Sequence, residues 1–505
     1  MAVKRTILRL RSLLQRWMKR IIFSSIATIQ KESEANRLND PTDIAKRYSG
    51  KLLLREEILL NDSLFFELLS SHYFTTYPSI QNSFFSRICT RCNNKNPNLF
   101  AYIPCSICGK NHYYCRNCIM MGRVMECQLL YFWTKEPYPW PQWNAPCSWS
   151  GTLTEAQRHA AHCIVQTVQR KTELLIWAVT GSGKTEMLFP GITEALRTGL
   201  RICIATPRTD VVRELYPRVQ DAFCDVPIQA LYSGSRDNDG TTQLIISTTH
   251  QLLRFKEAFD VIIVDEIDAF PYHHDSSLQF AVKRAAKRKA AFIYLTATPR
   301  KEQKRRMSLK RLSYVFVPQR FHGFPLPVPK LVQSSYSSFQ KETPLIPKQF
   351  TSWLTKRTEP NRQLLIFVPT ITQATKLLPV IANILFEKQV IKTDLEVTYV
   401  YSEDKQREEK IEQFRKQQLR VLVTTTILER GVTFPSVDVV VLDAHHDVFD
   451  EAALVQIAGR AGRSAKDPYG EVIFLYRRLT GAIVRAKKAI EEMNRRATIS
   501  KNEET

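Results

Sequence analysis

Between residues 174 and 298 short, continuously apolar runs recur among stretches of helical periodicity: LLIWAV (174–179), RICIAT (201–206), QLIIST (243–248), VIIVD (261–265) and AFIYLTAT (291–298). Runs this short, rich in β-branched residues and separated by helical patterns, predict strands buried on both faces, hence a parallel sheet covered by helices. A connector containing FPLPVPK (324–330) interrupts the pattern, which resumes with LLIFVP (364–369), LEVTYVYS (395–402), LRVLVTT (419–425), VDVVVLD (437–443) and EVIFLYR (471–477). The same architecture is therefore expected twice, with no evident sequence repeat and a cleft between two sheets.

Upstream the pattern changes. Residues 1–30 carry seven basic residues and no acid, with Ile7, Leu10, Leu14, Trp17 and Ile21 at helical spacing, which predicts a basic amphipathic tail. Arginines interrupt its apolar positions, which argues against a signal peptide. Residues 31–85 read as short helices, and residues 86–150 as a cysteine module followed by the Trp- and Pro-rich YFWTKEPYPWPQWNAPCSWSG. Prolines at that density do not continue a helix or a central strand, so a boundary falls near Gly151. The expected division is then one α/β domain over 151–320, a Pro-rich linker over 321–350, a second α/β domain over 351–485 and a tail over 486–505.

Charge and cysteine usage narrow the partners. The 505-residue chain carries 72 Lys and Arg against 49 Asp and Glu, a formal charge of +23 that suits a polyanion. No apolar run reaches the roughly 18 residues of a membrane-spanning helix. Six of eleven cysteines form three C-x-x-C pairs within ICTRCNNKNPNLFAYIPCSICGKNHYYCRNC, and the rest, Cys127 among them, are scattered. Close pairs of this kind indicate metal ligands in a reducing, cytoplasmic setting and not a disulfide framework. Two C-x-x-C turns can place four thiolates around Zn²⁺, so six candidates leave the choice of ligands open.

The chemistry-bearing segments follow the strands. LLIWAVTGSGKTEM runs from strand through a glycine-rich turn into a helix. Backbone N–H groups over Thr180, Gly181, Ser182 and Gly183 can wrap phosphates, Lys184 can reach the β- and γ-phosphates of ATP, and Thr185 can bind Mg²⁺. In VIIVDEIDAF, Asp265 can hold Mg²⁺, and Glu266 can orient or deprotonate water. TATP, Thr296 to Pro299, follows the next strand and can link phosphate sensing to movement. In QIAGRAGR, Gln456, Arg460 and Arg463 would enter the cleft from the second domain, where an arginine couples hydrolysis to closure. The basic runs 283–291 and 300–311 are read as solvated helix faces, and the pairs His273/His274 and His445/His446 as surface or packing residues.

The ordered set LTEAQ, AVTGSGKT, ATPR, STTHQLL, DEID, TATP, LLIFVPT, TTTILERG and QIAGRAGR resembles a superfamily-2 helicase core over residues 151 to about 480. That resemblance implies two tandem RecA-like parallel-sheet domains behind a small cysteine-rich zinc-binding module. It also implies Gln157 near adenine, and Pro207, Arg208, Thr248, Thr249, Thr424 and Thr425 facing a nucleic-acid backbone.

Several of these segments, with DEIDAFPY, TTTILERGVTFP and YYCRNCIMMGRV, resemble the ComFA family of competence proteins more narrowly. The implied activity is a single-stranded-DNA-stimulated ATPase that draws in transforming DNA at the inner face of the membrane, with a ComFC-like phosphoribosyltransferase-fold partner. The family pattern places zinc on Cys89, Cys92, Cys115 and Cys118, and leaves Cys105 and Cys108 as a departure. A primosomal restart helicase is the enzyme alternative, but it is disfavoured because the cysteines precede the motor. DEID, TATP and QIAGRAGR also differ from the pattern of DEAD-type RNA helicases. A zinc-dependent docking protein with a vestigial motor is the non-enzyme alternative, and intact Lys184, Asp265, Glu266 and Arg463 speak against it.

Overall fold

A computed structural model describes residues 40–503 except 84–85, 107, 236–238, 336–338 and 341–342; the basic segment 1–30 therefore lies outside the described residues. The apolar runs become two parallel sheets. The first contains β1 (Glu173–Ala178), β2 (Ile202–Thr206), β3 (Ile228–Leu231), β4 (Leu244–Thr248), β5 (Phe259–Val264), β6 (Ala286–Thr296) and β7 (Ser313–Val317). Their spatial order is β3-β4-β2-β5-β6-β1-β7. The second contains β8 (Lys330–Gln333), β9 (Gln363–Phe367), β10 (Val397–Val400), β11 (Val421–Thr424), β12 (Val437–Val441) and β13 (Val472–Tyr476), in the order β8-β13-β12-β9-β11-β10. Helices cover both faces of each sheet, so β2, β4, β5, β9, β11 and β12 are buried along their whole length.

Three readings of the sequence change. Residues 31–85 hold the helices Pro41–Tyr48 and Asp62–Ser70, but also strands Leu52–Leu54 and Phe74–Pro78, which flank Leu129–Trp133 in an antiparallel sheet. The segment read as a linker contributes β8, which pairs in parallel with β13 from Lys330↔Ile473 to Gln333↔Tyr476. Much of the basic run 283–291 lies in the long strand β6, where Lys287 Nζ pairs with Asp260 at 2.8 Å.

The cysteine region is joined to the first sheet by a continuous core in which Leu52, Leu54, Cys89 and Cys118 are buried together with Leu252, Phe255 and Phe259. Polar clamps reinforce the joint. Arg91, between two cysteines, is fully buried and bound by both carboxylate oxygens of Glu57 at 2.7 and 2.6 Å. Arg284, from the helix Ser276–Ala285, donates to the carbonyls of Thr90, Arg91 and Leu253. Among the described residues, no helix is long and apolar enough to cross a membrane.

Candidate functional site

The helix Glu155–Arg170 begins with a capping box: Thr154 N donates to Gln157 Oε1 at 2.7 Å, and Gln157 N to Thr154 Oγ1 at 3.4 Å. With one end of its amide held, Gln157 aims Nε2 at the carbonyl of Ser182, 2.8 Å away. The LTEAQ motif is thus a helix start that positions a side chain against the glycine-rich loop. That loop leaves β1 and enters the helix Lys184–Arg197 at Gly183, whose φ is +72°. A Cβ there would collide with Gln157 Nε2, so the conformation and the close approach both require glycine.

A cavity of about 630 Å³ opens between this loop and the second sheet. From the first lobe it is lined by Gln157, residues 180–184, Asp265 and Glu266, and from the second by Gln456, Arg460 and Arg463. The predicted nucleotide-site residues therefore meet across the cleft, with one exception. Thr185 lies buried behind the lining, in the first turn of the helix. Around the loop, Thr180 Oγ1, Ser182 Oγ and Glu266 Oε2 are buried polar atoms with no hydrogen-bond partner among the described residues. Backbone amides at a helix start, a lysine and orphaned polar atoms make a donor set suited to a polyphosphate with its divalent cation.

Electrostatics agree with that chemistry. Enclosure lowers the pKa of Lys184, opposed by Asp265, Glu266 and Asp268. It also lowers Arg463, and Arg460, on which the Arg463 charge acts in the same direction. Burial, followed by the adjacent Glu266 charge, pushes the Asp265 carboxyl up to about 7, with Lys184 opposing. Enclosed cations and a crowded carboxylate pair are relieved by an anion and a cation bound together.

The second-lobe arginines are held by the loop after β11. Arg460 Nε donates to the carbonyl of Glu429 at 2.9 Å, and Arg463 Nη1 to Val432 O and Thr433 Oγ1, both at 3.0 Å. The helix that precedes them, Glu451–Ala458, is capped by Asp450, which also pairs with Arg300 at 3.0 Å. Gly459 then packs so closely on Thr180 that any side chain would clash.

Asp268, Arg430 and Arg320, not singled out in the sequence, complete the seam. Asp268, the last residue of DEID, accepts from Thr296 Oγ1 at 2.6 Å and Thr298 Oγ1 at 2.7 Å in TATP, and from Arg430 Nη2 of the second lobe at 2.5 Å. Burial raises its pKa, but the Arg430 charge and these hydrogen bonds outweigh that and leave it at about 2. Arg320, fully buried after β7, donates to the carbonyls of Gly459, Ala461 and Gly462. Asp268, Thr296, Thr298 and Arg430 sit inside quoted motifs, so a signal existed; Arg320 lies in PQRFHG, which carries none.

The six residues expected to face nucleic acid lie outside this cavity. Pro207, Thr248, Thr249 and Thr424 are buried, and Thr425 is half-buried. Arg208 bridges the lobes by donating to the carbonyl of Ile427.

The cysteines form two groups. Cys89, Cys92, Cys115 and Cys118 are buried with their sulfurs within 4.8 Å of one another. Cys89–Cys118 is 3.8 Å and Cys92–Cys115 is 3.5 Å, against about 3.8 Å for thiolates bonded tetrahedrally to one zinc at ~2.3 Å. The second group is Cys105, Cys108 and Cys127. Cys127 is thus not a scattered cysteine, because the chain returns after strand Val124–Met125 to bring it beside Cys105.

Fold and site together define a helicase-like, ATP-hydrolysing enzyme of superfamily 2, a class that uses ATP with Mg²⁺ and binds nucleic acid. Residues 150–301 match the type III restriction enzyme res-subunit family, and residues 347–465 the helicase conserved C-terminal domain. The fold is similar to that of the Mycobacterium smegmatis helicase Lhr bound to single-stranded DNA and AMP-PNP, at TM-score 0.50 and 17% identity, covering 69% of this chain and 50% of that one. Residues 36–132 match the competence protein ComFA N-terminal domain. The chain is 43% identical to competence protein ComFA of Bacillus subtilis, covering 90% of this chain and 95% of the relative. It is 36% identical to that of Streptococcus pneumoniae, covering 89% and 98%. The chain belongs to the ComFA family of competence proteins.

Proposed function

We propose that this protein is an ATP-driven translocase that pulls on single-stranded DNA during uptake of transforming DNA. The observation that carries the reading is the convergence of Lys184, Asp265 and Glu266 from one sheet with Gln456, Arg460 and Arg463 from the other on a single cavity. In this reading the N–H groups of residues 181–183 and Lys184 grip the phosphates, Gln157 reads the adenine end, and Glu266 orients or deprotonates the attacking water. Thr185 and Asp265 hold Mg²⁺, which neutralises charge on the phosphates. Arg460 and Arg463 stabilise the transferring phosphoryl group when the lobes close.

Residues 151–320 and 351–485 serve as the motor lobes, with β8 belonging to the second. Pro207, Arg208, Thr248, Thr249, Thr424 and Thr425 mark the path along which a strand would pass, and Arg208 already reaches across the seam to the carbonyl of Ile427. The +23 charge supports a polyanion partner. Cys89, Cys92, Cys115 and Cys118 hold Zn²⁺, which ties the front module into one core with the first lobe. Family membership supports a ComFC-like partner and a peripheral place at the inner face of the membrane.

The test is ATP turnover measured side by side with single-stranded DNA, blunt duplex and RNA. Single-stranded DNA should stimulate most, and added salt should weaken its apparent affinity steeply. Equal stimulation by RNA would refute the DNA reading. In cells, loss of Lys184 should reduce transformation without slowing growth, and a replication defect would point instead to a restart helicase.

A further inference from the structure

Beyond the four buried cysteines, a second set of soft ligands gathers on the module's outer side. The sulfurs of Cys105, Cys108 and Cys127 all lie within 4.8 Å of one another, and Cys105–Cys127 is 3.6 Å. Two thiolates on one tetrahedral zinc are separated by about 3.8 Å, so the triangle already has the size of a coordination face. His112 Nε2 stands 3.2 Å from Cys108 Sγ. On its other side, His112 Nδ1 is 3.8 Å from a carboxylate oxygen of Glu126, which also accepts from Tyr113 N at 3.2 Å. A carboxylate on the side of the far nitrogen is the kind of neighbour that orients a metal-ligating histidine.

The backbone repeats the turn of the buried site. At Cys89 the cysteine N–H donates to Asn94 O at 3.0 Å, and Asn93 N donates back to Cys89 O at 2.8 Å, with φ +58° at Asn93. At Cys105 the N–H donates to Lys110 O at 2.9 Å, and Gly109 N donates back to Cys105 O at 2.9 Å, with φ +69° at Gly109. Both C-x-x-C segments are thus closed as a turn by the same two hydrogen bonds and by a left-handed residue directly after the second cysteine. That turn points two sulfurs to one side, which is what a zinc knuckle requires.

We propose that Cys105, Cys108 and Cys127 bind a second zinc ion, with His112 as the fourth ligand. His112 lies against Cys108 outside the tight triangle and completes the set by a shift of its side chain. On binding, the three thiols give up their protons to solvent and the imidazole coordinates in its neutral form. The ion ties the tip of the hairpin Phe100–Pro104/Asn111–Cys115 to the turn at Cys127, joining segments that otherwise meet through the two-residue strand Val124–Met125.

The experiment is metal analysis of the full chain purified under reducing conditions. Two zinc ions per chain are expected, falling by one in Cys105→Ser and in Cys127→Ser, with DNA-free ATP turnover unchanged. Cobalt exchange supplies a reading independent of stoichiometry: His112→Ala should alter the d–d absorption of one of two bound ions and weaken its retention against a chelator about 10-fold or more. One zinc per chain in the unaltered protein would overturn the proposal. So would full zinc retention in both cysteine variants, or a Cys105–Cys127 disulfide mapped in the reduced preparation.

Discussion

At the residue scale the cleft separates roles that one motif suggests together. Glu266 keeps a buried oxygen with no hydrogen bond among the described residues and only a long ion pair to Arg430 at 3.8 Å, whereas Asp268, two residues on, is saturated by Thr296, Thr298 and Arg430. Glu266→Gln should therefore leave nucleotide binding intact while lowering turnover by about 10² or more, the typical contribution of a positioned base. Lys184→Ala should lose nucleotide affinity itself; titration with a fluorescent ATP analogue and steady-state kinetics separate the two. Asp268 belongs to stability and coupling. Its folded pKa of about 2 lies below the ordinary 3.8, so its contribution is complete above about pH 4 and is lost only as pH falls through about 2. The link is intact throughout the neutral range. Arg430→Gln strands buried carboxylates and should cost about 3–5 kcal/mol in urea unfolding at pH 7, with much less added cost when combined with Asp268→Asn. The sequence displayed these residues inside its motifs, but a carboxylate's partner depends on which lobe closes over it, and spacing along the chain carries no such information.

At the scale of elements, legibility followed burial. β2, β5, β9 and β12 are buried from end to end and carry continuous apolar runs because both faces are covered, and the sequence displays them plainly. β3 and β8 are edge strands with half-buried interiors, so IQAL and KLVQ lack a continuous apolar run; β8 also follows a proline-rich stretch. Likewise β6 begins inside a basic run because Lys287 at its entrance is paired with Asp260. The ribbon between Cys92 and Cys115 forms through Phe100↔Cys115 to Pro104↔Asn111. What spacing could not show is that Arg91 and Arg284 bolt the first knuckle to the motor. Stripping zinc with a strong chelator should therefore raise amide exchange not only over 87–118 but also over 251–258, and lower the thermal midpoint of the first lobe. Exchange confined to the cysteine region would mean that the joint holds without metal.

For the whole molecule the decisive feature is that the first lobe supplies the phosphate loop and the second supplies the arginines, so turnover depends on the distance between them. The seam is already engaged at several points: Gly459 on Thr180, Arg320 on the carbonyls of Gly459 to Gly462, Arg430 on Asp268, and Arg208 on Ile427. Most of these contacts are polar and directional and can be exchanged as the lobes move, while Val179 and Phe316 of the first lobe also pack against the apolar core of the second. Among the described residues Arg463 makes two hydrogen bonds, both to its own lobe, while lining the nucleotide cavity. It is therefore free to address a charge that develops in the cavity without being needed to hold the lobes together. Arg463→Ala should retain affinity for a non-hydrolysable ATP analogue within about 3-fold while turnover falls by about 10³, the scale of a transition-state arginine. Distance probes on the two lobes should still report closure on analogue binding. If analogue affinity instead fell as far as turnover, Arg463 would be acting in the ground state, and the coupling of hydrolysis to lobe motion would have to pass through Arg460 or Arg430.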